Sequence, residues 1–316
     1  RNGEFESPVV PKYERHDTRT EDTIVKLFQT GLTNEEISEI IESLYENKYS
    51  RGTISNITET VIANVEAFKA RRLDAEYAAI YLDATYVPLR RDTVAKEAVH
   101  IALGIKTDGS KEILGYAITP NESVSAWEAI LNDLQSRGVM RPLLFITDGL
   151  KGIEEMIHRV YPKADIQRCL VHVMRNIAWM VRTRDRAEIL GEFKMVHTQK
   201  TKEAAVKVLS DFMDKWKKIY PKVVETVQDN AYLLTFYDYP EEIRPSIYST
   251  NLIEGFNKQL KRKVKAKIQF PSVDSTEKYL VSLFEEFNFK LGVKIHKGFA
   301  PSFSRLEEKL LEKYEA

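Results

Sequence analysis

The chain has 316 residues, 43% of them hydrophobic, which is ample for a core and points to two or three folding units. No apolar run approaches the roughly 18–20 residues of a membrane span, and no secretory signal is visible; one cysteine, Cys169, excludes an internal disulfide and a multi-cysteine zinc site and fits a reducing, intracellular setting. Net charge is zero, from 47 basic and 47 acidic residues, but it is unevenly spread: residues 168–222 carry +7, 223–254 carry −5 and 255–269 carry +6, so local patches could hold phosphate while the whole stays neutral.

Residues 1–18, with Pro8 and Pro11, read as an extended leader. Residues 19–75 read as a helical unit. Ile24, Val25, Leu27 and Phe28 mark a first helix ending at Gly31. Thr33-Asn34-Glu35-Glu36 is a capping box for a second, with Ile37, Ile40, Ile41 and Leu44 on one face. Ser50-Arg51-Gly52-Thr53 opens a third, whose Ile54, Ile57, Val61 and Val65 hold the helical period. Three short helices with an arginine at the start of the third resemble a helix-turn-helix unit, in which Arg51 would meet DNA. A plain three-helix bundle has the same pattern, and the unit is net acidic.

From Ala78 the period changes to that of strands. Residues 79–87 form the first, ending at Pro88; His100 to Ile105 and Glu112 to Ile118 follow, joined through the turn sequence Thr107-Asp108-Gly109-Ser110. Ser123 to Arg137 is an amphipathic helix carrying Trp127 and closed by Gly138. Leu143 to Asp148 is a fully apolar strand until its last residues, as expected of a buried central strand. A helix to Tyr161 and a short strand to Arg168 complete this part, residues 76–168. The order of three strands, helix, strand, helix, strand matches a ribonuclease-H-like α/β core, with an antiparallel meander extended by parallel strands. Residues 169–244 read as an all-helical insertion, and residues 245–316 return to the core with a basic helix and C-terminal helices, one from about Val273 to Leu291.

Two aspartates stand out by position. Asp83 lies in mid-strand, where aspartate is disfavoured. Asp148 lies at the carboxyl end of the apolar strand, where sites form in open parallel sheets. Glu254 opens a helix whose following residues, 255–269, carry six basic side chains and no acid. Three hard oxygen ligands suit Mg²⁺ or Mn²⁺, and two such ions roughly 3.5–4 Å apart promote in-line phosphoryl displacement. Each residue also has a bland reading: Asp83 in an edge or turn, Asp148 as a helix cap, and Glu254 in the pattern Asn251-x-x-Glu254 as half of a capping box. The order Asp–Asp–Glu on two strands and a late helix is more specific than any one of them. Asp108 belongs to the turn and Asp165 to the start of the fifth strand, whereas Glu122, just past the third strand, could support the trio. Cys169-Leu170-Val171-His172 supplies two zinc ligands but lacks a second pair, so it reads as packing of the insertion onto the core.

Five spaced motifs give the chain a resemblance to the Mutator-type transposases of bacterial insertion sequences, a branch of the DDE transposases. They are Tyr81-Leu82-Asp83-Ala84-Thr85-Tyr86-Val87, Glu122-Ser123-x-x-x-Trp127 and Thr147-Asp148-Gly149-x-x-Gly152; then Gln167-Arg168-Cys169-x-x-His172-x-x-Arg175-Asn176 and Thr250-Asn251-x-x-Glu254-x-x-Asn257-x-x-Leu260-x-Arg262. The resemblance implies a ribonuclease-H-like catalytic domain with a helical insertion. Its metal triad falls on Asp83, Asp148 and Glu254, with two Mg²⁺ or Mn²⁺ ions. The Cys169/His172 pair, Trp127, Asn251 and Asn257 carry over as structural motif positions. The implied chemistry is cleavage at transposon ends and direct transfer of the 3′-hydroxyl. Lys258, Lys261, Arg262, Lys263 and Lys265 would hold DNA backbone, with Arg168, Arg175 and Arg182 doing likewise from the insertion. Terminal inverted repeats and target DNA are the implied partners, a homodimer the implied assembly, and the nucleoid of a prokaryotic cytoplasm the implied setting. Such transposases extend further at the N-terminus, so this chain is expected to begin inside that region. A nuclease of the same fold that cuts without joining, and a silent DNA-binding scaffold, are the rival expectations.

Overall fold

The computed structural model describes residues 18–29, 32–45, 49–90, 94–265, 270 and 272–315; the expected leader, apart from Thr18, and the Gly31 helix end lie outside them. Three helices come first: α1 (Thr18–Gln29), α2 (Asn34–Tyr45) and α3 (Arg51–Ala70). Ile24, Phe28, Ile37, Ile41, Ile54 and Ile57 pack into a small core of their own. Thr33 and Glu36 exchange the capping-box bonds, with the Glu36 carboxylate accepting from the Thr33 amide at 2.7 Å and Thr33 Oγ1 accepting from the Glu36 amide at 3.2 Å. The third helix is longer than a short recognition helix, because Val65 and Phe68 continue its apolar stripe into the main core.

The sheet has five strands: β1 (Ala79–Arg90), β2 (Val94–Ile105), β3 (Lys111–Thr119), β4 (Leu144–Thr147) and β5 (Asp165–Arg168), in the spatial order β3-β2-β1-β4-β5. The first three form an antiparallel meander, and β4 and β5 add parallel to β1. Helices α4 (Val124–Ser136) and α5 (Ile153–Val160) make the crossovers. This is the mixed α/β class expected, with the expected strand order. Asp108 accepts from the Ser110 amide and hydroxyl at 2.7 Å in the β2–β3 turn. The first strand runs three residues beyond its expected end at Val87. Pro88 pairs opposite Lys96, and its carbonyl points to the other edge, accepting from the Phe270 amide at 3.1 Å. A backbone N–H at position 88 would face that edge too, so the proline removes no bond to β2.

Both sheet faces are covered. Ile80, Leu82 and Phe145 face α4 and α5. Ala79, Tyr81, Leu144 and Ile146 face the opposite layer, formed by α11 (Asn251–Lys265), α12 (Val273–Phe287) and the region between β5 and α11. That region holds α6 (Leu170–Met180), α7 (Thr183–Lys194), α8 (Lys202–Trp216), α9 (Pro221–Gln228) and the short α10 (Arg244–Ile247), with no strand among them. The helix expected from about Val273 to Leu291 ends at Phe287 and passes into a π-type turn, residues 288–292, before α13 (Phe299–Tyr314). No helix among the described residues is long and apolar enough to cross a membrane.

Candidate functional site: a carboxylate and cation cleft

Strand periodicity sets the first half of the site. Side chains alternate across a sheet, so Asp83 shares the face of Ala79 and Tyr81, towards α11. In the parallel register Leu82 lies opposite Thr147, and the next residue on each strand is Asp83 and Asp148. Asp148 continues the Leu144, Ile146 alternation, so both aspartates reach the same level on the same face. Asp83 is 8% exposed. Its carboxyl is pushed up to about 7, by burial first and by the negative charge of Asp148 next. A hydrogen bond donated by Asn257 Nδ2 to Asp83 Oδ2 at 2.8 Å pulls the other way.

Helix α11 packs on β1 through Ile253, Phe256 and Leu260 and supplies the second half. Glu254 stands one turn before Asn257, so the residue that grips Asp83 brings Glu254 to the same cleft. The side chain of Glu254 is 12% exposed and takes a bidentate bond from Arg175, at 2.7 and 3.0 Å. His172 and Lys258 lie 3.6 and 3.9 Å from the same carboxylate. Arg175 first, aided by the charges of His172 and Lys258, holds Glu254 below the usual carboxylate range. The Asn251 capping-box reading therefore fails, because this carboxylate is directed to Arg175 and not to the start of its own helix. The N-cap reading of Asp148 fails too: Asp148 Oδ1 accepts from Leu150 at 3.2 Å within the loop, and α5 is capped by Gly152.

Cys169 caps α6 and is fully buried. Its sulfur accepts from the amide and the hydroxyl of Thr250, both at 3.2 Å, tying the end of β5 to the residue before α11. Burial alone would push this thiol up, but His172 and Thr250 outweigh it and hold it down. Contact with Cys169 first, and the charges of Asp148 and Glu254 further on, raise His172. The Cys-x-x-His segment thus packs the helical region onto the core and turns His172 towards the carboxylates. Trp127 is buried edge-on against His100, with ring centroids 4.9 Å apart, beneath the loop of Glu122. Burial, then Asp148, raises the Glu122 carboxyl, and its Oε1 is buried without a hydrogen-bond partner.

The basic residues divide by helix geometry. Lys258, Lys261, Arg262 and Lys265 follow the i, i+3, i+4, i+7 spacing of one helix face, the face that bears Glu254. Lys258 and Lys261 line, with Asp83, His172, Arg175 and Glu254, a solvent-open cleft of about 220 Å³. Lys263 projects elsewhere, onto Glu286 of α12 at 2.6 Å. Arg168 is engaged with the loop after Asp148, donating to the Gly149 carbonyl at 2.8 Å and pairing with Glu154 at 3.2 Å. The side chain of Arg51 lies outside the described residues. Among the described residues, no three His, Cys, Asp or Glu side chains stand close enough to hold one metal ion; Glu254 is drawn onto Arg175 instead. Arg175, expected to hold phosphate, pairs instead with Glu254; the sequence signal for this pairing is an arginine one helical turn after His172.

Fold and site together define a mixed α/β protein whose cleft sets Asp83 and Glu254 among His172, Arg175, Lys258 and Lys261, with the charge of Asp148 acting on Asp83 from beside it. The chain belongs to the Mutator family of transposases: the family model described as "Transposase, Mutator family" matches residues 1–291. It is 48% identical to the transposase for insertion sequence element IS905 of Lactococcus lactis, over 97% of this chain and 78% of that protein. It is 47% identical to the transposase for IS1201 of Lactobacillus helveticus, over 89% of this chain and 76% of that one. A more distant relative, at 28% identity over 89% of this chain and 73% of its own length, is the transposase for IS256 in transposon Tn4001 of Staphylococcus aureus. A transposase is an enzyme that acts on DNA.

Proposed function

We propose that this transposase cuts DNA strands at the ends of its insertion sequence and joins the freed 3′-hydroxyl to a second site, with Asp83, Asp148 and Glu254 as its metal-holding carboxylates on a ribonuclease-H-like core. The observation that carries the proposal is the parallel register that levels Asp83 with Asp148 on the face covered by the Glu254 helix. The donor set suits Mg²⁺ or Mn²⁺: all three are hard oxygen ligands, Asn257 occupies one oxygen of Asp83, and the crowding that raises Asp83 is what a cation would relieve. Two such ions, when bound, supply charge neutralisation and activation of a hydroxyl for in-line displacement at phosphorus.

The protein's own contribution is positioning. Asn257 fixes the Asp83 carboxyl, Cys169 and Thr250 fix the start of α11, and Arg168 fixes the loop of Asp148. Lys258, Lys261, Arg262 and Lys265 would run backbone phosphates along α11 past Glu254. In the first step a water oxygen bonds to phosphorus as the bond to the 3′-oxygen breaks, leaving a 3′-hydroxyl. In the second that hydroxyl bonds to a phosphorus of the target strand as the target's own P–O bond breaks, the leaving oxygen taking up a proton. The α1–α3 unit, expected over residues 19–75, would serve as a helix-turn-helix-like DNA contact, and two ends handled together call for a dimer.

The test uses duplexes carrying the inverted repeats that flank the coding region, with and without a pre-cut 3′-hydroxyl. Wild type should cut and join in Mg²⁺, while Asp148→Asn should bind the duplex and do neither. Cutting without joining in any DNA context would leave a nuclease, and no Mg²⁺-dependent cutting by wild type would leave a DNA-binding scaffold.

A further inference from the structure

We propose that Trp179, at the outer end of α6, is a stacking platform for an unpaired DNA base next to the strand held in the cleft, an inference that rests on the cleft being a DNA site. The chain has three tryptophans. Trp127 and Trp216 are 1% and 3% exposed, whereas Trp179 is 86% exposed. Among the described residues it makes no hydrogen bond and no ring or cation contact. A lone exposed apolar side chain is ordinary on a protein surface, so its place on the helix must decide whether anything covers it.

Its position on α6 indicates what does. Leu170, Val173 and Ile177 form the buried stripe of that helix. His172, Arg175, Asn176 and Trp179 follow the i, i+3, i+4, i+7 spacing of the opposite stripe. The inner end of this stripe is in the cleft, with His172 3.6 Å and Arg175 2.7 Å from Glu254. At about 1.5 Å of rise per residue, Trp179 lies roughly 6 Å beyond Arg175 and 10 Å beyond His172 along the axis. That is the span of a few nucleotides. Helix α6 contains no acidic residue. The stripe therefore runs from a carboxylate site, past an arginine, to an uncovered indole, with nothing on it that repels phosphate. A cationic track ending in an exposed aromatic face is how proteins hold single strands, since every base has a face to stack and only the backbone needs neutralising. A protein surface would also accept an exposed tryptophan, but it has no use for the continuity with the cationic cleft.

Because the other two tryptophans are buried out of reach of DNA, quenching of the intrinsic emission by an added oligonucleotide reports on Trp179. The probe is a short oligodeoxythymidine, added to the full chain in EDTA so that no carboxylate function is required. Wild-type emission should be quenched on binding. Trp179→Ala should lose the quench and weaken oligonucleotide affinity at least about fivefold, the low end for one base–aromatic stack. Trp179→Phe should retain most of the affinity. Unfolding temperatures of both variants should match wild type, since the side chain is not packed. Wild-type affinity in Trp179→Ala overturns the proposal, as does unchanged affinity with a shift from dimer to monomer in sedimentation, which would make Trp179 a subunit contact. Failure of Mg²⁺-dependent cutting by wild type would instead remove the functional reading while leaving this binding result intact.

Discussion

Asn257 donates to Asp83 at 2.8 Å across 174 residues of chain, one helical turn after Glu254. The bond makes α11 both the carrier of the third carboxylate and the anchor of the first, so the position of Glu254 depends on a contact that Glu254 does not make. Asn257→Ala leaves a buried carboxyl oxygen without its donor and should destabilise the fold by about 1–3 kcal/mol. Asn257→Asp places a further acid beside the Asp83–Asp148 pair and should cost more at pH 8 than at pH 5, the difference shrinking in millimolar Mg²⁺. Thermal unfolding at the two pH values checks both variants.

The raised carboxyl of Asp83 sets a pH dependence. Its ordinary value is 3.8 and its folded value about 7. Between these the folded protein keeps a proton that the unfolded chain has lost, so this residue's contribution to stability falls as pH rises through that window. Asp83→Asn removes the titration. Without divalent metal, the variant should gain on wild type by a few kcal/mol from pH 4 to 8, about 1.4 kcal/mol per pH unit at most. Parallel curves for the two proteins over that range would contradict it.

In the proposed metal site, Arg175 and a divalent cation would compete for the Glu254 carboxylate. Arg175→Ala should therefore tighten Mn²⁺ binding to the DNA-free protein. The guanidinium is about half exposed, so solvent screening limits the gain to about 1 kcal/mol, roughly fivefold. Isothermal titration of wild type and variant with Mn²⁺ measures it. The same variant should bind duplex DNA less tightly.

Gly149 has φ +93°, and a Cβ at this position would strike the Arg168 guanidinium. Gly149→Ala combines left-handed backbone strain with the loss of that clamp, and should destabilise by about 1–3 kcal/mol. Arg168→Ala removes the obstacle along with the clamp. The double variant should then be less destabilised than the sum of the two single variants, which chemical denaturation can show.

The division of the α11 cations predicts different salt behaviour. Lys261→Ala, on the Glu254 face, should lower the slope of log affinity for DNA against log salt by about one. Lys263→Ala, whose partner is Glu286, should leave the slope unchanged. Equal effects of the two substitutions would remove the distinction between the faces.

Much of this was legible in the chain before folding. The strand alternation around Asp83, the apolar run before Asp148 and the helical spacing of Lys258, Lys261, Arg262 and Lys265 are local patterns, set by periods of 2 and 3.6 residues. They give the element order and the α/β class, and they single out Asp83, Asp148 and Glu254 as candidates. The strand runs past Pro88 because proline ends a strand only where its missing N–H would have been used, and of the pairing partners that decide this, Phe270 lies far along the chain.

What the sequence determined by itself is which residues could share a face of a strand or helix. Only the tertiary structure decided which faces meet: that Asp83 and Asp148 share a level, that Asn257 reaches Asp83, that Arg175 takes Glu254 while Lys263 goes to Glu286, and that Trp179 is left uncovered. The physical reason is that periodicity is a property of consecutive backbone geometry, whereas the choice among several equally charged side chains is made by distance, and those distances exist only once β1, β4, α6 and α11 have packed.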